Sequence, residues 1–145
     1  MLYGDICVDI QFSRHTSSQQ LYDLLSKYGL TYNPNAKRIQ HNLNQFPYPF
    51  EDNSADKVFI IHTLEHLEYP LKVLQEVYRI LKPNGEVIIV IPNPLKNEAD
   101  KKDTGHIYSW TIWSIKNLLE YVGYKNIDVI TIMNNLDILA KGTKV

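Results

Sequence analysis

The sequence predicts an α/β domain in which helices cover a mostly parallel β-sheet with one antiparallel strand near an edge. Short β-rich runs alternate along the chain with stretches whose apolar residues recur at helical spacing. The alternation ends in two apolar runs joined by Asn134-Asn135, a pair typical of hairpin turns. Strand–helix alternation builds parallel sheets, and a closing hairpin adds one strand that runs the opposite way.

The composition indicates one folded domain. The 145 residues are 44% hydrophobic, which is enough for a single core, so we predict one domain over residues 1–145. Fifteen basic and sixteen acidic residues leave a formal net charge of −1, so the charge does not indicate nucleic acid or a membrane as a partner. Because no apolar run approaches ~18 residues and the start lacks a signal-peptide pattern, we expect a cytoplasmic protein.

The first third of the chain is expected to hold two strands and a helix. Asp5–Ile10 is typical of a short strand. Ser17 and Ser18 are candidate caps of a helix that ends before Gly29, because apolar residues follow at helical spacing. These apolar residues are Leu21, Leu24, Leu25 and Tyr28. The second predicted strand is Arg38–Leu43.

The rest of the chain is expected to alternate strands with helices up to the final hairpin. The apolar run Lys57–His62 predicts a strand that is buried on both faces. Pro70 begins a helix that Pro83-Asn84-Gly85 ends, and Thr111 and Gly123 are the candidate caps of another. The remaining predicted strands are Glu86–Ile91, Asn126–Met133 and Leu136–Lys141.

Polar residues follow several of the predicted strands. In open α/β sheets, ligands bind outside the carboxyl ends of the parallel strands. The segments expected at that edge are Asp9–Gln11, His41–Asn44, His62–His66 and Pro92–Asn93. We therefore look for functional side chains among these residues first.

Several ordered motifs resemble one enzyme family. They are Phe46–Val58 (FPYPFEDNSADKV), His62–Leu67 (HTLEHL), Glu76–Glu86 (EVYRILKPNGE), Gly105–Trp110 (GHIYSW) and Tyr121–Tyr124 (YVGY). Together they resemble the class I S-adenosylmethionine-dependent methyltransferases, in the branch with the pattern "lPf-dnsfD…lEHl…E-yRvLKPgG". The resemblance covers roughly Asp9–Ile130. It implies a Rossmann-like three-layer methyltransferase fold, S-adenosylmethionine as cofactor, and methyl transfer to an oxygen, nitrogen or carbon acceptor.

The family's Gly-rich loop has no counterpart in this sequence, since Gly4 is the only glycine before Gly29. The spacing places Asp9 at the end of the family's second strand, so the first strand and the loop are truncated or absent, or Met1–Gly4 is their remnant. A competing register makes Cys7–Ile10 the first strand. The cofactor-binding residues that the resemblance implies are Gly4, Asp9 (ribose), Asn42 and Leu43 (adenine), and His62.

His62, Glu65, His66 and His106 form the set richest in candidate chemistry. If the chain is helical from Thr63 onward, His62 and His66 lie at i, i+4 on one face with Glu65 beside them. His62, Glu65 and His106 are then candidate bases, and all four residues are candidate ligands of a divalent metal ion. Lining of the binding site without a metal, and a purely structural role, stay open.

A second functional hypothesis follows from the missing Gly-rich loop. The chain would then be a degenerate methyltransferase-like domain that acts as a non-catalytic structural or partner-binding module. The vacant sheet edge at the missing first strand would have to be covered, because an open strand edge invites pairing. A homodimer or a partner chain could provide that cover.

Overall fold

The computed structural model describes residues 6–9, 19–97 and 105–145. The chain divides into two compact units, Met1–Tyr48 and Pro49–Val145. In the described ranges, every helix is too short or too polar to cross a bilayer. The predicted cap residues Ser17 and Ser18, and Gly4, lie outside the described residues.

The first unit contains a two-stranded parallel sheet and one helix. Strand β1 (Ile6–Asp9) pairs with β2 (Lys37–Gln40), and Asp9 lies opposite Gln40. Helix α1 (Gln19–Leu25) buries Leu21 and Leu25 and continues as a short 3₁₀ turn. Gly29 then ends the helical segment at φ 99°, a left-handed conformation that favours glycine. Strand, helix and strand therefore follow in the predicted order.

The second unit contains a four-stranded mixed sheet with the order β3-β4-β6-β5. Strands β3 and β4 are parallel, and β6 runs antiparallel to both of its neighbours. The elements are β3 (Ala55–Ile61), α2 (Pro70–Ile80), β4 (Leu81–Pro92), α3 (Ile112–Val122), β5 (Lys125–Ile132) and β6 (Asp137–Thr143). The closing hairpin and the single antiparallel strand near an edge are confirmed.

Local sequence signals set the ends of both helices in this unit. Pro70 occupies the first turn of α2, where its missing N–H costs nothing. Helix α3 begins with a capping box, because the Thr111 and Ser114 side chains each accept the other residue's backbone N–H. Gly123 ends α3 at φ 117°. Ile115 and Leu119 of α3 and five residues of α2 are buried, so each helix packs one apolar stripe into the core.

Two strand predictions differ from the structure. The prediction that β3 is buried on both faces is wrong, because Ile60 is its one buried residue. In the described part of the chain β3 is an outer strand of its sheet, whereas β4 lies inside the sheet and is almost wholly buried from Val87 onward. Strand β4 also begins at Leu81, directly after α2, because Leu81 pairs with Ala55 ahead of a register shift.

The topology brings particular strand ends to one edge of the sheet. Since β3 and β4 are parallel, His62 and Asn93 follow them at the same edge. The antiparallel β6 begins at this edge, and its first residue, Asp137, pairs with Pro92. We call this the functional edge of the second unit; it is defined by His62, Asn93 and Asp137.

Candidate functional site

His62 leaves β3 in a conformation that few non-glycine residues adopt. Its φ is 46°, and its backbone N–H donates to the Val90 carbonyl over 2.8 Å. Its Nε2 lies 3.2 Å from Oδ1 of Asp137, a residue that is 8% exposed. Burial lowers the pKa of His62, but the hydrogen bond to Asp137 and the negative charges of Asp137 and Glu65 outweigh it and raise the pKa overall.

The segment after His62 is a 3₁₀ turn, Leu64–His66, and not the α-helix that the predicted i, i+4 arrangement requires. Thr63 has φ −130°, so no helical turn connects His62 with His66. Leu64, the first residue of the turn, and Leu67, which follows the turn, bury their side chains. His62 pairs with Asp137, whereas His66 pairs with Glu65.

Glu65 is a buried carboxyl group without a matching donor. The residue is 1% exposed, and neither carboxylate oxygen has a hydrogen-bond partner within the ranges that the structure describes. Burial raises the pKa of Glu65, and the group's own backbone N–H and three neighbouring histidines oppose that rise. Its backbone carbonyl accepts from the N–H groups of Ile107 and Tyr108 at 2.8 and 3.2 Å, so the segment that carries His106 is tied to this turn.

His66 presents a defined nitrogen to this carboxyl group. Its Nδ1 lies 2.9 Å from the carbonyl oxygen of Gly105, and because a carbonyl only accepts, Nδ1 carries the proton. In the neutral ring Nε2 therefore holds the lone pair, and it lies 3.8 Å from Oε1 of Glu65. Two acceptors then face each other, an arrangement that becomes favourable when a proton or a cation lies between them.

His106 completes the cluster. Its ring meets that of His66 edge to face, with centroids 4.5 Å apart. One ligand atom from each of Glu65, His66 and His106 lies within 4.8 Å of the others. A carboxylate and two imidazoles suit divalent zinc or iron. The Gly105 carbonyl accepts from Nδ1 of His66, and metal-binding histidines are commonly oriented by such a hydrogen bond on the nitrogen that does not bind the metal. The three residues fit a metal ion; His62 is not part of this group.

The predicted adenine-binding residues lie in the first unit, after β2. Asn42 uses its side-chain oxygen to accept from the backbone N–H of Asn44 at 2.9 Å, which forms a tight turn. The Leu43 carbonyl accepts from the Tyr48 hydroxyl at 2.8 Å. Asp9 is the last residue of β1, in parallel register with the end of β2. Gly4 lies outside the described residues.

Asp137 was not among the sequence-predicted residues. The sequence feature that could have identified Asp137 is the Asn134-Asn135 turn, because this turn makes Asp137 the first residue of an antiparallel strand. Such a strand begins where its parallel neighbours end. Asn93 is also buried here, and its side-chain amide donates to the Asn135 carbonyl at 2.8 Å, which holds the hairpin turn against the end of β4.

Sequence comparison matches a large part of the chain to a known family. A profile described as "Methyltransferase domain" matches residues 6–89, more than half of the chain. Phosphoethanolamine N-methyltransferase 2 of Caenorhabditis elegans is 32% identical over 90 residues, covering 61% of this chain and 20% of the relative. A tRNA U34 carboxymethyltransferase of Helicobacter pylori is 29% identical over 91 residues, covering 56% and 34%. The chain thus spans a fifth to a third of these curated relatives.

Two solved methyltransferase structures have a similar fold. A SAM-dependent methyltransferase from Archaeoglobus fulgidus aligns with a TM-score of 0.67 at 17% identity, covering 94% of this chain and 85% of that one. One from Aquifex aeolicus aligns with a TM-score of 0.64 at 23% identity, covering 95% and 67%. At these identities the likeness establishes the fold alone, which is the Rossmann-like α/β fold that the sequence predicts.

Proposed function

The chain belongs to the family of methyltransferase domains that use S-adenosylmethionine, and from that membership we propose that it transfers the cofactor's methyl group to an oxygen, nitrogen or carbon nucleophile. The observation that carries the proposal is the family match over residues 6–89. The functional edge supports it, because His62 and Asp137 meet where the parallel strands end and ligands of such sheets bind. The non-catalytic alternative has no comparable support.

The cofactor-binding roles in this proposal follow the resemblance. Asp9 would accept hydrogen bonds from the ribose hydroxyls, and Asn42 and Leu43 would lie against the adenine. The side-chain oxygen of Asn42 has a second lone pair beside the one that Asn44 uses. His62 and Gly4 complete the proposed set.

The acceptor-side roles rest on the second unit. When bound, S-adenosylmethionine supplies a methyl group that undergoes in-line displacement, so positioning of the acceptor contributes much of the rate. His62, Glu65 and His106 are the residues we propose as bases for an acceptor that loses a proton. Burial raises the pKa of the Glu65 carboxyl above its ordinary value, and the hydrogen bond to Asp137 holds the His62 ring in place, so both groups suit a role in proton transfer.

We also propose Glu65, His66 and His106 as the ligands of a divalent cation. Their ligand atoms are close enough to share one ion, and Nε2 of His66, which holds the lone pair in the neutral ring, lies 3.8 Å from Oε1 of Glu65. Such an ion would polarise an acceptor oxygen and lower its pKa. The same three residues would hold it without His62, which stays paired with Asp137.

We also propose that a second copy of the chain or a partner chain covers the sheet edge where the resemblance leads us to expect a first strand. In the described residues, β3 is an outer strand of its sheet, and outer strands are normally covered or protected. Light scattering after size-exclusion chromatography distinguishes a dimer from a monomer.

Calorimetric titration with S-adenosylhomocysteine, the demethylated cofactor, tests the proposed function without an acceptor. We expect saturable binding with a dissociation constant on the order of micromolar, equivalent to roughly 8 kcal/mol. An Asn42→Ala variant should bind more weakly because it loses the proposed adenine contact. Asp128→Asn, an exposed change on β5, is the control and should leave the affinity unchanged. Absence of binding at millimolar ligand would contradict the proposal.

A further inference from the structure

The first residue of the final strand lies against the histidine that follows β3. Asp137 pairs with Pro92 of β4 and with Ile132 of β5, so two strands fix its backbone. Its carboxylate reaches across the end of β4 to His62, with 3.2 Å between Oδ1 and Nε2. The contact therefore joins two segments 75 residues apart in sequence at the functional edge.

Asp137 is 8% exposed, and a buried carboxylate is costly unless a donor satisfies it. A carboxylate oxygen accepts hydrogen bonds, so Nε2 of His62 is the donating nitrogen. When one ring nitrogen holds the proton, the other holds the lone pair in the neutral imidazole. Asp137 thereby selects the tautomer in which Nδ1 is the basic atom of His62.

The backbone of His62 is held as firmly as its ring. A positive φ is costly for a non-glycine residue and persists where surrounding contacts determine it. Here the N–H is bound to the Val90 carbonyl while the ring is bound to Asp137. Both contacts come from the two innermost strands of the sheet, β4 and β6. His62 is thus pre-organised before any ligand binds.

We propose that Asp137 is a positioning residue that holds His62 in the Nε2–H tautomer, so that Nδ1 accepts the proton of the methyl acceptor. This inference rests on the proposed function. As the acceptor's electron pair bonds to the methyl carbon of S-adenosylmethionine, the sulfur–carbon pair passes to sulfur. The acceptor's proton moves to Nδ1 of His62, and S-adenosylhomocysteine, the methylated acceptor and an imidazolium that Asp137 stabilises remain.

The test is the tautomer of His62, read from long-range ¹⁵N–¹H NMR spectra of the ring-labelled protein. The wild-type protein is expected to show the Nε2–H form at a pH where the ring is neutral. The Asp137→Asn protein should lose the preference for the Nε2–H form, because an amide can donate as well as accept. The Asp137→Glu protein, which keeps a carboxylate at this position, should show the same form as the wild type. Asp128→Asn is the matched control on an exposed strand position and should leave the spectrum of His62 unchanged.

A merely structural Asp137 would change stability without changing the ring's tautomer. An Nδ1–H form in the wild-type protein would overturn the proposal whether or not any variant folds. An unchanged tautomer in Asp137→Asn would overturn it as well. Titration with S-adenosylhomocysteine, run on the same samples, separates this inference from the proposed function. Failure of the wild-type protein to bind would count against the proposed function and not against the tautomer.

Discussion

Glu65→Gln is expected to stabilise the metal-free protein at neutral pH, although it changes a residue that is 1% exposed. Neither carboxylate oxygen has a hydrogen-bond partner in the described ranges, and an ionised group without partners is costly to bury. Glutamine keeps the shape and removes the charge. We expect a gain of about 1–3 kcal/mol in unfolding free energy. For a chain of this size, each kcal/mol corresponds to roughly 2–4 °C in Tm.

The gain in unfolding free energy from Glu65→Gln is expected to increase with pH. Because burial raises the pKa of Glu65 above its ordinary value of 4.5, the native state holds the proton more tightly than the unfolded chain does. The stability that this group contributes is complete below pH 4.5 and is lost as the pH rises through the raised pKa. Thermal denaturation with a chelator present should therefore show little difference between wild type and Glu65→Gln near pH 4, and a growing difference towards pH 8.

Glu68→Gln is the matched control, because Glu68 is an exposed carboxyl three residues along the chain. Its effect on Tm should be small at every pH, as for most surface substitutions. A Glu65→Gln protein that is less stable than wild type at pH 7 would contradict the account. The carboxylate would then be a structural partner of a neighbouring group and not an uncompensated charge.

Addition of Zn²⁺ is expected to raise the Tm of the wild-type protein substantially. An ion that binds only the native state stabilises it by about 2.7 kcal/mol at 100 times its Kd. At this chain length that equals a rise of roughly 5–10 °C. The reason is the same cluster: the ion would lie between the Glu65 carboxylate and the imidazoles of His66 and His106, whose ligand atoms are within 4.8 Å of one another. Differential scanning fluorimetry against Zn²⁺ concentration measures it.

Single substitutions test which residues bind the ion. His66→Ala, His106→Ala and Glu65→Gln should each remove most of the Zn²⁺-induced rise in Tm. His41→Ala is the control, because His41 lies in the first unit and its Nε2 bonds to the Gln45 carbonyl. An undiminished rise in all three cluster variants, or no rise in the wild-type protein, would contradict the proposed ion site.

Most of the fold could be predicted because its signals are local. The helices begin and end at residues whose chemistry is short-range, such as Pro70, the Thr111 capping box and Gly123. Asn134 and Asn135 predict the hairpin turn, and both adopt positive φ in the structure. The burial of β3 was not predictable in this way, because it depends on which strands lie beside it in the sheet and not on its own apolar run.

The candidate site was predictable in its composition but not in its geometry. The sequence identified His62, Glu65, His66 and His106 as one set, whereas the structure divides them into a His62–Asp137 pair and a Glu65–His66–His106 cluster. The division follows from the positive φ of His62 and the 3₁₀ turn after it, which side-chain spacing does not encode. Asp137 was missed because it lies 75 residues from its partner and reaches it only through the sheet register.

The most direct test of the central claim is a ¹H–¹⁵N spectrum of the labelled protein titrated with S-adenosylhomocysteine. We expect amide shift changes among the residues proposed to bind the cofactor, including His62 at the end of β3. A groove lies at the start of β5, at the end of that strand away from the functional edge, and is lined by Lys116, Glu120, Tyr124, Lys125, Asn126 and Ile127. Shift changes confined to this groove would contradict the proposed cofactor site. A spectrum that does not change at millimolar ligand would contradict it as well.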